Sequence, residues 1–271
     1  MFTIWRSPGA FCRAMVLAAA LSGTALAAGC ASVPPGEGPA GPPATMPGGS
    51  MASPSAVTGM PAAARCPAGP YGPRLYAPGS GKTVALTFDD GPGRSTPAIL
   101  AVLTRYQIPA TFFNIGVDMA ARPSLVREEA RDGYVLGDHT WDHPDLVLLP
   151  AASQAAELDR VSAEQWSLTR TAPCVFRSPY DDYDATTLRL AQQRRMSVWL
   201  WSVDTQDWMA DGSGSSYWVQ HIIRFAEAAG ARLRHPVVLM HAQPIGNPAT
   251  VSALPVIIRF FRAHGYTFVA L

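Results

Sequence analysis

From Lys82 onward the chain alternates between two rhythms of apolar and polar positions. Short apolar runs rich in β-branched and aromatic residues read as strands, at 83–88, 110–115, 134–137, 174–176, 197–203, 237–240 and 266–270. Between them lie longer stretches whose apolar positions recur every three to four residues, which predicts helices at 96–106, 124–132, 151–169, 185–195, 217–229 and 251–264. Strands alternating with helices predict a β/α architecture built on parallel strands. No internal repeat interrupts the alternation.

Six of the seven strand candidates carry polar or ionisable residues at or just past their C-terminal ends: Asp89-Asp90, Asn114, His139, Arg177, Asp204 and His241. A packed barrel gathers such positions at one mouth, where β/α folds place ligands. The densest of them is Thr87-Phe88-Asp89-Asp90-Gly91-Pro92, a strand that delivers two acids into a Gly-Pro turn. One carboxylate there suits a metal ion and the other a proton transfer, although in isolation the run is an ordinary turn. The second cluster is His139-Thr140-Trp141-Asp142-His143-Pro144. Two histidines four residues apart share a face if the backbone makes a helical turn, and one added carboxylate completes a set with open positions, suited to zinc and water.

Composition sets the frame for the rest. The chain has 271 residues, 48% of them hydrophobic and 15% charged, with a net charge of +1, so it can build a sizeable core and offers nothing that favours nucleic acid. Its 25 prolines and 23 glycines crowd into the first third. Residues 1–30 read as an export signal: Arg6 and Arg13, an apolar core at 15–21, and small residues running into Cys30. The apolar core is shorter than the roughly 20 residues that span a bilayer. Small residues before Cys30 resemble a bacterial lipoprotein signal, in which that cysteine is lipidated, while Ala25-Leu26-Ala27 offers an ordinary cleavage site. Residues 31–80, rich in Pro, Gly, Ala and Ser, read as a disordered linker, leaving 81–271 as the folded domain. In an exported chain Cys66 and Cys174 are expected to pair, two free thiols being the alternative. Cys174 begins a strand, which puts the bond at the barrel end opposite the chemistry.

Taken in order, Thr87 to Pro92, His139 to Pro144, Phe176-Arg177-Ser178-Pro179-Tyr180, Asp204-Thr205-Gln206-Asp207-Trp208 and Leu239-Met240-His241 resemble the five motifs of the NodB-homology polysaccharide deacetylases, carbohydrate esterase family four. The resemblance implies a distorted seven-stranded (β/α) barrel that removes acetyl groups from glycans. It implies one divalent metal, Zn²⁺ with Co²⁺ as the alternative, held by Asp90, His139 and His143. Asp89 is then the general base and His241 the general acid, with Arg177 orienting the base and Asp204 pairing with that Arg. The Tyr180 N–H would help bind the oxyanion, and Leu239 with Trp208 would enclose the acetyl methyl. Tyr180, Trp201 and Trp208 are candidate sugar-stacking faces. Four positions depart from the family pattern: Ser178 and Asp181 in the third motif, Ala242 where Asp commonly follows the histidine, and Asp138 where Asn is frequent, which would add negative charge beside the metal.

The expected function is removal of N-acetyl groups from an envelope or extracellular polysaccharide, peptidoglycan or a chitin-like N-acetylglucosamine polymer. The alternatives are an O-acetyl esterase of the acetylxylan type and an inactive glycan-binding relative. A polysaccharide is the expected partner of a monomeric enzyme that meets the membrane only through lipid at Cys30. A lipid tether would hold it at the cell envelope; ordinary cleavage would release it.

Overall fold

The computed structural model describes Cys66, residues 70–230 and residues 232–271. The export signal, Cys30 and most of the linker lie outside these residues. The described strands are β1 Thr83–Gly91, β2 Thr111–Asn114, β3 Val135–Asp138, β4 Val175–Phe176, β5 Ser197–Val198, β6 Val203–Asp204, β7 Val237–His241 and β8 Thr267–Phe268. The helices are α1 Thr96–Tyr106, α2 Gly116–Ala121, α3 Pro123–Arg131, α4 Ala151–Thr169, α5 Ala185–Gln193, α6 Ser216–Gly230 and α7 Pro248–Ala263. All ladder pairings between strands are parallel, in the order β5-β4-β3-β2-β1-β7-β6, with β8 paired to the start of β1. These seven strands in one curled path are the seven-stranded β/α barrel expected from the sequence.

Strand alternation decides what each face receives. Along β1, Val84, Leu86 and Phe88 face the main apolar cluster, where Ile99, Leu103, Ile257 and Phe261 of α1 and α7 cover them. Phe88 stacks on Phe112 of β2 with ring centroids 5.1 Å apart. The intervening Ala85 faces the barrel interior with Phe113, Val175, Trp199 and Val237. The interior is narrow: a Cβ added to Gly137 would lie 2.5 Å from the Phe113 ring. Because β1 is covered on both sides it is buried almost throughout, Thr87 and Asp89 included.

Two expectations change. The strand read over 197–203 divides into β5 and β6, which sit at opposite edges of the curled sheet, so the intervening residues cross the gap between those edges. The segment read as linker up to residue 80 is paired to the barrel before it ends. Arg74 bridges Trp199 and Tyr76 bridges Pro236. Short α2 carried no helical rhythm long enough to be predicted, since its six residues make fewer than two turns.

Candidate active site

The inward-facing set of β1 continues from Ala85 through Thr87 to Asp89, and that of β7 ends at His241. Strand alternation alone would send Asp90 to the face opposite Asp89. A left-handed backbone at Asp90, φ 61°, brings its carboxylate to the same mouth. The two histidines of the second cluster meet without a helix. Thr140 and His143 both adopt left-handed φ, 69° and 62°, and this loop sets the imidazole centroids 5.0 Å apart.

Asp90, His139 and His143 offer ligand atoms that all lie within 4.8 Å of one another. Nε2 of each imidazole is 3.3 Å from Asp90 Oδ1, a buried oxygen with no hydrogen-bond partner. His139 Nδ1 lies 2.7 Å from the Arg177 carbonyl, which can only accept, so Nδ1 carries a proton and Nε2 is the atom turned toward the cluster. Burial opposes the charge on this ring, but Asp89 and Asp90 outweigh it and raise its pKa, so a cation would take the place of the Nε2 proton. An orphaned carboxylate oxygen between two imidazole nitrogens fits a divalent cation of borderline character. Burial opposes ionisation of Asp90, but His139, His241 and His143 outweigh it and hold the carboxyl far below its usual range. Burial and the neighbouring His139 push His143 down to about 4, so its ring is neutral and available as a ligand at physiological pH.

Asp89 is buried beside this cluster, its Oδ2 3.8 Å from His139 Nε2. Its Oδ1 accepts from Arg177 Nη1 at 2.7 Å. Arg177 is wholly buried and donates also to Thr87 Oγ1 at 2.9 Å and to the carbonyls of Trp199 and Leu200 at 3.0 and 2.9 Å. One residue thus aligns His139 through its carbonyl and Asp89 through its guanidinium.

The expected pairing of Asp204 with Arg177 does not occur. The Arg177 nitrogens are taken by Asp89, Thr87 and two carbonyls, and Asp204 Oδ1 instead accepts from the Gln206 N–H at 2.7 Å. That bond belongs to a turn in which Gln206 takes a left-handed φ of 57°, and the turn swings Asp207 inward. Asp207 is the functional residue the sequence reading missed. Its Oδ1 accepts from His241 Nδ1 at 2.7 Å, and its Oδ2 accepts from the His241 N–H at 2.9 Å and the Thr250 hydroxyl at 2.5 Å. Burial alone would lower the His241 pKa, but the Asp207 charge and hydrogen bond, with Asp90 and Asp89, raise it to about 9. The available hint was a second acid three residues after Asp204 in the same motif.

A cleft of about 390 Å³ is lined by Asp89, Asp90, His139, His143, Tyr180, Asp204, Trp208, Leu239 and His241, with Ser178, Trp201 and Gln243 completing its wall. Arg177 lies behind this surface. Trp208 and Tyr180 are exposed, and the Tyr180 ring meets His143 edge-on at 4.7 Å. Asn114, expected at the mouth, turns away: it is buried and donates to Glu129 of α3 at 2.6 Å. Burial raises the Asp138 pKa to about 8, which favours the neutral carboxyl over the added charge expected beside the cluster. Ala242 leaves His241 unaffected, because Asp207 holds that ring while the Ala242 N–H donates to the Asp89 carbonyl at 2.7 Å. Cys66 and Cys174 are bonded, S–S 2.00 Å, just before β4, whereas Arg177 follows its other end.

Residues 76–199 match the family described as polysaccharide deacetylase. A peptidoglycan-N-acetylglucosamine deacetylase of Bacillus cereus is 30% identical over 201 residues, covering 72% of this chain and 88% of the relative. The peptidoglycan-N-acetylglucosamine deacetylase PgdA of Listeria monocytogenes is 32% identical over 191 residues; the match takes in 70% of this chain but only 38% of that longer protein. Among solved structures, a peptidoglycan N-acetylglucosamine deacetylase in complex with 4-naphthalen-1-yl-N-oxidanyl-benzamide superposes with a TM-score of 0.68 at 31% identity, covering 74% of this chain and 91% of that one.

Proposed function

Because the chain belongs to the polysaccharide deacetylase family, we propose that it is a metal-dependent hydrolase that removes N-acetyl groups from an N-acetylglucosamine-containing polysaccharide, with bacterial peptidoglycan as the preferred polymer. The observation that carries this reading is the meeting, in one cleft, of a carboxylate-imidazole-imidazole cluster with two separate proton-handling groups, Asp89 and His241.

Asp90, His139 and His143 would hold the cation. When bound, it supplies Lewis acidity, making water a stronger acid and polarising the acetyl carbonyl. Zn²⁺ suits two imidazoles and one carboxylate better than Ca²⁺ or Mg²⁺ does, with Co²⁺ as the substitute. Asp89, held by Arg177, takes a proton from the attacking water. His241, protonated through Asp207, gives a proton from Nε2 to the departing nitrogen as the C–N bond breaks. Acetate and a free amine result. Leu239 and Trp208 border the space for the acetyl methyl, and the exposed faces of Trp208 and Tyr180 suit pyranose C–H surfaces. Asp204 lines the cleft as a polar contact for substrate and is assigned no part in orienting the base.

The test is acetate release from N-acetylglucosamine oligomers, peptidoglycan and acetylated xylan by the wild type and Asp89→Asn. Asp89 stands outside the Asp90-His139-His143 cluster, so this variant keeps its metal while kcat falls about 10²- to 10⁴-fold. Release from xylan alone overturns the N-acetyl assignment.

The remaining readings rest on sequence. The polypeptide divides into an export signal at 1–30, a linker and the barrel, with Cys30 lipidated and the enzyme monomeric at the envelope. Among the described residues no helix is long and apolar enough to cross a membrane. Fractionating cells that express wild type and Cys30→Ala tests the anchor: wild type wholly in the medium refutes it.

A further inference from the structure

Arg177 is fixed at two of its nitrogens by the Trp199 and Leu200 carbonyls, which belong to the segment that crosses between β5 and β6. That segment is paired on one side to β4, where the Trp199 N–H donates to the Phe176 carbonyl at 2.8 Å. On the other side its partner is Arg74. The Arg74 N–H donates to the Val198 carbonyl at 3.0 Å, and the Leu200 N–H donates to the Arg74 carbonyl at 2.8 Å. The Arg74 guanidinium also lies 4.8 Å over the Trp199 ring. Further along, the Ala77 N–H donates to the His235 carbonyl at 2.9 Å, which ties the same segment to the approach to β7.

We propose that residues 74–77 form a strap that positions the Arg177 guanidinium, and through it Asp89, for the reaction. The proposal rests on the deacetylase reading for its kinetic consequence and on geometry alone for the strap itself. The Trp199 carbonyl and the Leu200 N–H belong to one peptide unit. That unit is planar and trans, so the two groups point in opposite directions. With the N–H held by the Arg74 carbonyl, the C=O is aimed inward at Arg177 Nε. The guanidinium is a rigid fork, so fixing Nε and Nη2 fixes Nη1, which holds Asp89 Oδ1. The Cys66–Cys174 bond anchors the chain upstream of the strap to the start of β4, the strand that leads into Arg177. Residues that composition assigns to the linker are therefore a positioning element three hydrogen bonds removed from Asp89.

Two substitutions separate the backbone role from the side chain. Arg74→Pro deletes the N–H that bonds Val198, one of the two backbone bonds that hold the Arg74 carbonyl against Leu200, together with the stacking on Trp199, whereas Arg74→Ala removes only the stacking. With metal-loaded full-length protein, Arg74→Pro is expected to lower kcat about tenfold or more with KM and bound metal unchanged, because small misplacements of a reacting group are costly. Arg74→Ala stays within about threefold of wild type. In an Arg177→Lys background, which lacks the fork, adding Arg74→Pro costs no further kcat, whereas a merely structural role would still lower it. Exchange of the Arg177 Nε proton, followed by NMR, needs no activity: it is slow in wild type and accelerates in Arg74→Pro. An inactive wild type would overturn the deacetylase reading and leave this readout to decide the strap. Unchanged Nε exchange in Arg74→Pro, or an equal loss of kcat in both backgrounds, overturns the proposal.

Discussion

Replacing Asp207 by Asn tests the acid half of the mechanism at its least exposed point. Asp207 is buried and touches His241 twice, at the ring and at the backbone. Asn can still accept from Nδ1–H, so the ring stays oriented while the charge is lost. The step from an ordinary imidazole at 6.5 to about 9 corresponds to about 3 kcal/mol. If the variant returns to about 6.5, the protonated fraction at about pH 8.5 falls about 80-fold against wild type, and at about pH 6 by only about 1.3-fold. The assay is acetate release from a chitin oligomer across that range, as the ratio of wild-type to variant kcat. Titrations elsewhere in the site act on both enzymes and cancel. Stability gives the same sign: a raised histidine pKa stabilises the fold fully below 6.5, and that contribution is lost as pH rises through about 9. Asp207→Asn should flatten this window. A rate ratio independent of pH would refute the assignment of His241 as the acid raised by Asp207.

Chelation is expected to abolish activity and one equivalent of zinc or cobalt per chain to restore it, counted by elemental analysis, and His143→Ala is expected to lose the metal. Reduction of the Cys66–Cys174 bond, which closes a sequence separation of 108 residues, lowers unfolding free energy by up to about 4 to 5 kcal/mol in denaturant titrations on the entropic account. Glu129, pushed up to about 8 by burial, is expected to make the wild type lose stability as pH rises from 4.5 through about 8, a slope that Glu129→Gln should remove in thermal melts.

Much of the site was legible because strand ends are easy to read and barrels collect them. Asp89, Leu239 and His241 reach the mouth by period-two alternation from apolar neighbours. Asp90, His143 and Asp207 do not. Each depends on a left-handed backbone at itself or beside it, at Asp90, His143 and Gln206; Asp and His enter that region more often than most residues, but the enrichment is too small to single out a position in a sequence. The turn at Gln206 therefore gives Asp204 the Gln206 N–H in place of Arg177 and gives Asp207 to His241. Asn114 misled for another reason. It ends β2 as the other polar residues end their strands, yet buried Glu129 on α3 captures it, a tertiary contact without a local trace. The division of 197–203 was likewise hidden, because a strand that leaves one sheet edge and rejoins the other keeps the same apolar pattern throughout.

The place of β1 has a consequence for when the molecule takes shape. Its neighbours are β2, made soon after it, and β7, whose hydrogen bond from Thr87 to the Val238 carbonyl joins residues 151 positions apart. During synthesis this central strand therefore waits with one edge open until β7 has emerged. Pairing so distant is slow, since chain must be ordered over a long span before the contact rewards it. Under the proposed export, such late pairing would keep the nascent chain threadable through a translocation channel, with the barrel closing on the far side.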